Sequence, residues 1–175
     1  MPAADRIVRS FECGRTRVSI AFAFMSYSDS IDIESTPEKV FAVVTDLPAM
    51  GRLSPENEGG EWLDGATGAR VGAKFKGDNS RAGDKWTTVA TVKVCDPSTS
   101  FVFDISWHRL PIARWEYHVE VAPGGCRVTE SWTDRRNALL RKQGDSDGFV
   151  RSEFTKDSIR QTLEKLKAHC ERPES

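Results

Sequence analysis

From Gly72 to Thr133 the chain alternates, segment after segment, between polar residues and aromatic or aliphatic ones. With strict alternation, Phe75, Trp86, Phe101, Phe103, Trp107, Trp115, Tyr117 and Trp132 share one face. The other face carries Lys74, Lys76, Thr87, Thr91, Lys93, Asp104, Ser106, His108, Arg114, Glu116, His118, Glu120, Arg127, Thr129, Ser131 and Thr133. An antiparallel sheet with one wet side reads this way. A sandwich needs apolar inner faces on two sheets, and these residues furnish one. One long helix remains to cover the face, so a curved sheet closed by a helix, with a hollow between, is expected.

The breaks support a meander of six strands near 58–64, 70–77, 84–95, 99–108, 112–122 and 125–134. They fall at Asp64–Gly68, Gly77–Gly83, Asp96-Pro-Ser, Leu110-Pro111 and Pro123-Gly-Gly125. A first strand over Tyr27–Glu34 precedes them. Ser35-Thr36-Pro37-Glu38 then starts a short helix whose buried face is Val40, Phe41, Val43, Val44 and Leu47. Pro48 stops it, and a second short turn follows over Ala49–Leu53.

The last helix is expected to begin around Asp145–Asp147 and to run to about Cys170. Ile159, Leu163, Leu166 and Cys170 form its apolar stripe. Projected backwards, the stripe meets Lys156 or Thr155, then Ser152 and Phe149. Either the front half lines a cavity, or a kink near Lys156–Ser158 re-phases the stripe.

A chain of 175 residues is long enough for one domain with a substantial core. The core is placed at 25–172, with residues 1–24 an N-terminal extension that is disordered or lies outside it. A net charge of −1 leaves no basic footprint for nucleic acid. No apolar run approaches the length of a membrane span, so no membrane insertion is expected. Cys13, Cys95, Cys126 and Cys170 share no metal-ligand or redox spacing, which fits a reducing cytoplasm. Neither a metal nor a cofactor is indicated, and nothing in the residues specifies an oligomeric state.

Several segments bring a known family close. Gly72-Ala-Lys-Phe-Lys-Gly-Asp-Asn79, Gly83-Asp-Lys-Trp86, Cys95-Asp96-Pro97 and Phe101-Val-Phe103 resemble the central strands of bacterial polyketide cyclase/dehydrase-like proteins. Ser35-Thr36-Pro37-Glu38-Lys-Val-Phe41 with Asp46-Leu-Pro48 resembles that family's first helix and following turn. The resemblance covers about residues 26–170. It places the chain in the START-like (SRPBCC) superfamily, which includes lipid-transfer domains, plant allergens and aromatic-ring oxygenase subunits. It implies an α+β helix-grip fold: a curved antiparallel sheet of about seven strands around a long C-terminal helix, with two short helices after the first strand. It transfers no catalytic residue, because no catalytic motif aligns here.

Glu130 is the polar residue that alternation turns inward, between Val128 and Trp132. A carboxyl group there pairs with a cation such as Lys156 or Arg109, is held neutral by burial, or meets a ligand. A bulge that returns it to solvent is the other reading. The expected pocket comprises Phe75, Trp86, Phe103, Trp107, Trp115, Tyr117, Glu130, Trp132, Ser152 and Ile159. Asn79 and Arg81 are read as turn residues at its rim. His108, His118 and His169 form no constellation.

The leading expectation is binding or carriage of a small hydrophobic molecule: a lipid, polyketide or aromatic metabolite. The alternative is a cyclase or dehydratase, with Glu130 as base and Tyr117 as donor. A third is a protein-interaction module.

Overall fold

A computed structural model describes residues 25–145 and 150–172, together with a short antiparallel ladder of β1 (Val8–Arg9) and β2 (Ile20–Ala21). The remainder of the 1–24 segment, and Phe149, lie outside the described residues.

The core opens with β3 (Ser26–Ile33), followed by α1 (Pro37–Thr45) and a 3₁₀ helix (Leu47–Arg52). Five strands of the meander come next: β4 (Asn57–Trp62), β5 (Lys74–Arg81), β6 (Asp84–Asp96), β7 (Ser100–Trp107) and β8 (Leu110–Ala122). The chain ends with β9 (Gly125–Asp134), α2 (Ala138–Gly144) and α3 (Arg151–Cys170). The seven strands of the main sheet are antiparallel in the order β3-β9-β8-β7-β6-β5-β4. Consecutive strands β3 and β4 therefore occupy opposite edges, and α1 with the 3₁₀ helix carries the chain between them.

Local chemistry explains these helices. Thr36 caps α1 by accepting from the Lys39 backbone N–H at 3.3 Å, and Pro37 occupies the first turn, where its missing N–H costs nothing. Val40 and Val44 are fully buried beneath it. The 3₁₀ helix lies directly on β4, because Gly51 and Gly59 have no side chains. A Cβ on Gly59 would stand 2.6 Å from the Pro48 carbonyl oxygen, at a φ of +109°. Bulges in β4, β6 and β8 add the coiling that curves the sheet.

Helix α3 packs on β3, β9 and α1. Ile159, Leu163 and Leu166 are fully buried there, with Cys170 nearly so. Phe101, also fully buried, belongs to this sealed half. The helix is continuous through Lys156–Ser158, so no kink re-phases its stripe.

Four boundaries differ from the sequence expectation. Strand β5 is displaced to 74–81, because a turn in which the Ala73 N–H donates to the Arg70 carbonyl holds residues 70–73. The polar run Asp78–Arg81 pairs fully with β6, leaving Ala82-Gly83 as the turn, both with positive φ. The β7–β8 turn is His108-Arg109 rather than Leu110-Pro111, and Pro111 sits opposite Ser106 beside a bulge, where a missing donor is tolerated. Helix α3 begins at Arg151, and the short α2 precedes it, unforeseen. Asp145 still caps from a distance: the Arg151 N–H donates to its Oδ1 at 3.1 Å.

His108 and Arg109 have φ of 47° and 66°. This left-handed pair suits a two-residue hairpin, which normally uses Asn-Gly. Arg109→Gly is therefore expected to raise stability by about 0.5–1 kcal/mol. Urea unfolding measures it, and an unchanged midpoint would show that the turn stores no strain.

Candidate ligand-binding cavity

Because α3 covers the β3–β9 side, the inner faces of β5 to β8 are left partly uncovered. The result is a cavity of about 590 Å³ between the sheet, the front of α3, the 3₁₀ helix and α2. That volume is in the range of small-molecule sites.

Its floor is aromatic. Phe103, Trp115 and Trp132 lie opposite one another across β7, β8 and β9, and Tyr117 and Glu130 form the adjacent row, which Phe101 of β7 continues outside the cavity lining. Phe75, Trp86 and Trp107 extend the lining, and Trp62 braces Phe75 edge-on at 5.3 Å. Trp107 is 40% exposed and, with Asp84 and Lys85, marks the mouth.

Eight of the ten pocket residues expected from alternation line this space: Phe75, Trp86, Phe103, Trp107, Trp115, Tyr117, Glu130 and Trp132. Ser152 and Ile159 do not. Ile159 faces the sealed core, and the cavity side of α3 is rotated by about one residue, presenting Arg151, Thr155, Ser158 and Thr162. Asn79 is no turn residue. It points inward, its amide nitrogen donating to the Gly77 carbonyl and to Thr88 Oγ1, both at 3.2 Å. Arg81 lies against the rings of Trp86 and Phe154, 5.8 and 5.6 Å from their centres.

Glu130 is 2% exposed and Tyr117 3%. The Tyr117 hydroxyl donates to Glu130 Oε1 at 2.8 Å, while Oε2 is buried with no hydrogen-bond partner among the described residues. Burial pushes the Glu130 carboxyl up to about 8, against the lowering effect of the Tyr117 hydrogen bond. Burial and the adjacent carboxyl push the Tyr117 phenol well above its usual value, so it remains a donor. The expected cation is absent: Lys156 lies over the Tyr27 ring at 5.8 Å, and Arg109 occupies the β7–β8 turn. His108 contacts Trp107 edge-on at 4.6 Å, and His118 faces out beside Glu116.

Two ion-pair clusters bind the walls together. Arg151 Nη1 donates to both Glu56 oxygens at 2.7 and 2.8 Å, joining α3 to the segment before β4. Asp134, fully buried at the end of β9, accepts from Arg136 Nη2 at 2.8 Å and Nε at 3.1 Å, and Arg136 Nη1 reaches Asp145 at 3.2 Å. Arg141 of α2 stands 3.3 Å from Asp134 as well. This second cluster holds α2, with Leu140 facing the cavity, against the sheet. Sequence reasoning passed over both clusters. Alternation does turn Asp134 inward with Trp132, and Asn137, whose side chain accepts from the Leu140 N–H, is a legible helix cap.

The polyketide cyclase / dehydrase and lipid transport family matches residues 25–171, which hold the seven-stranded sheet and helices α1 to α3. The chain belongs to that family. Among solved structures, a polyketide-cyclase-like protein from Corynebacterium glutamicum is 27% identical, with a TM-score of 0.58 over 82% of this chain and 90% of that one. A protein from Chromobacterium violaceum shares 15% identity, with a TM-score of 0.65 over 85% and 99%. A di-domain ARO/CYC from the steffimycin biosynthetic pathway shares 12%, with a TM-score of 0.68; 85% of this chain is covered but only 51% of that one. The last two likenesses concern the fold. No curated protein gave a significant sequence match. Among the described residues, no helix is long and apolar enough to cross a membrane. The family description spans catalysis and carriage, and the fold by itself does not choose between them.

Proposed function

We propose that this member of the family binds and carries a small hydrophobic molecule, such as a lipid, polyketide or aromatic metabolite, in the cavity described above. The observation that carries the proposal is a space of about 590 Å³ whose floor is built from seven aromatic side chains and which opens at Trp107. The aromatic floor supplies apolar contact, and polar side chains around it, such as Asn79, Glu130 and the hydroxyls on α3, supply orienting hydrogen bonds. A reducing, cytoplasmic setting and the absence of a nucleic-acid partner belong to the same proposal, on the grounds of the free thiols of Cys95, Cys126 and Cys170 among the described residues and the balanced charge.

Cyclase or dehydratase chemistry is the second reading, since Glu130 and Tyr117 do meet inside the cavity. With its carboxyl pushed up to about 8, Glu130 is mostly neutral at pH 7 and would act as a base through an ionised minority. Carriage is favoured by the aromatic floor of the cavity.

Filling the space tests the proposal. Ala90 lies on the floor opposite Phe75 and Ile105. Ala90→Phe is expected to weaken binding of the neutral fluorophore N-phenyl-1-naphthylamine by on the order of tenfold, with the circular dichroism spectrum retained. Failure of the wild-type protein to bind the fluorophore, or equal binding by the variant, would count against the cavity as the binding site.

A further inference from the structure

The carriage reading leaves the ligand's polar chemistry open, and the inference that follows rests on that reading. Glu130 combines three features. Its Oε1 is occupied by the Tyr117 hydroxyl. Its Oε2 is buried without a partner among the described residues. Both residues line the cavity. A buried carboxyl group that lacks a cation is disfavoured as an anion, because desolvation of the charge goes uncompensated. A protonated Glu130 with Oε1 already accepting carries its proton on Oε2, the oxygen left without a partner. We propose that Glu130 is the specificity residue of the cavity, donating a hydrogen bond from Oε2 to an uncharged acceptor, such as a ketone, quinone or ester carbonyl, on a largely apolar ligand.

The surroundings agree with an acceptor rather than a cation. Tyr117 from β8 orients the acid and cannot itself supply a negative charge, its phenol being held protonated. From β3, Asp29 sits opposite Glu130 in register, with Arg160 of α3 paired to it at 3.2 Å. On its cavity side, α3 presents the hydroxyls of Thr155, Ser158 and Thr162, with Arg151 engaged by Glu56. The charged lining residues pair off, Arg151 with Glu56 and Arg136 with Asp134 and Asp145, while Lys85 and Asp84 stand at the mouth.

Three naphthalenes of similar size separate the possibilities: 2-acetylnaphthalene, 2-ethylnaphthalene and 1-(2-naphthyl)ethylamine. Binding is followed by tryptophan fluorescence and calorimetry at pH 6.5 and 9.5. At pH 6.5 the ketone is expected to bind about three- to tenfold tighter than the hydrocarbon, with the amine weakest. At pH 9.5, above the value of about 8 for Glu130, the ketone's advantage disappears. Glu130→Gln, which keeps an N–H donor, should retain the preference at both pH values. Glu130→Leu should lose it at both while still binding the hydrocarbon. Equal binding of ketone and hydrocarbon by the wild type overturns the donor role and leaves the cavity reading intact. Tightest binding of the amine overturns it in favour of an ionised Glu130. If none of the three binds, the carriage reading falls, and the inference with it.

Discussion

Replacing Asp134 with alanine is expected to cost about 3–5 kcal/mol, the largest single loss foreseen outside the apolar core. Asp134 is fully buried, and it is held from several directions. The Arg136 backbone N–H and guanidinium both donate to it, and its own N–H donates to the Met25 carbonyl, tying the end of β9 to the start of β3. The Arg136 side chain is 11% exposed, so removing the carboxylate would leave a largely desolvated cation with Asp145 as its remaining acidic partner. The loss would come mainly from that unpaired charge. Asp134→Asn, which still accepts from Arg136, should cost less. Because α2 is held to the sheet through Asp134, the alanine variant should also be cut faster by trypsin at Arg141 and Lys142. Urea unfolding and a digestion time course check both effects. A loss below about 1 kcal/mol would place the cluster among solvent-screened pairs.

Glu130→Gln should do the opposite and stabilise the protein, increasingly so as the pH rises. The sign follows from proton binding. The folded carboxyl titrates at about 8, against an ordinary value of 4.5. Below about pH 4.5 both folded and unfolded chains hold the proton, and nothing is lost. Between about 4.5 and 8 the unfolded chain releases it and the folded chain keeps it, so wild-type stability falls as pH rises through this window. Glutamine has no proton to keep, and its carbonyl can still accept from Tyr117. The variant's advantage should grow from little near pH 4.5 to on the order of 3 kcal/mol at pH 7. Melting temperatures across pH 4.5 to 8.5 measure the slope. A difference between the two proteins that does not change with pH would mean that water or a nearby charge keeps Glu130 ionised.

The two predictions differ in how visible their residues were beforehand. Glu130 stood out because two-residue alternation places it between Val128 and Trp132, and the sheet keeps that alternation through β9. Asp134 obeys the same alternation, yet an acid at the end of a strand reads equally well as a turn residue. Its burial depends on Arg136 and Arg141, which come into play only once α2 folds back. Asn79 was hidden differently: a Gly-Asp-Asn-Ser run looks like a loop until its backbone is seen paired with β6 and its amide satisfied inside. On α3, the buried stripe from Ile159 to Cys170 was readable from helical spacing. Its continuation toward Ser152 was not, because periodicity fixes which residues share a face and leaves open which neighbour that face meets. The cavity takes the adjacent face, with Thr155, Ser158 and Thr162.

By itself, then, the sequence determined the meander, the inward side of each strand, the excess of aromatic area over helical cover, and the inward carboxyl group of Glu130. All of these follow from local backbone geometry, in which side chains alternate every two residues along a strand. The tertiary structure alone decided what Glu130 touches, which face of α3 borders the cavity, and how its walls are joined. Those contacts link positions far apart in the chain, as Glu56 and Arg151 do across 95 residues. They depend on the angle at which a rigid helix crosses a curved sheet, and that angle is set by the packing of the whole core rather than by any one segment.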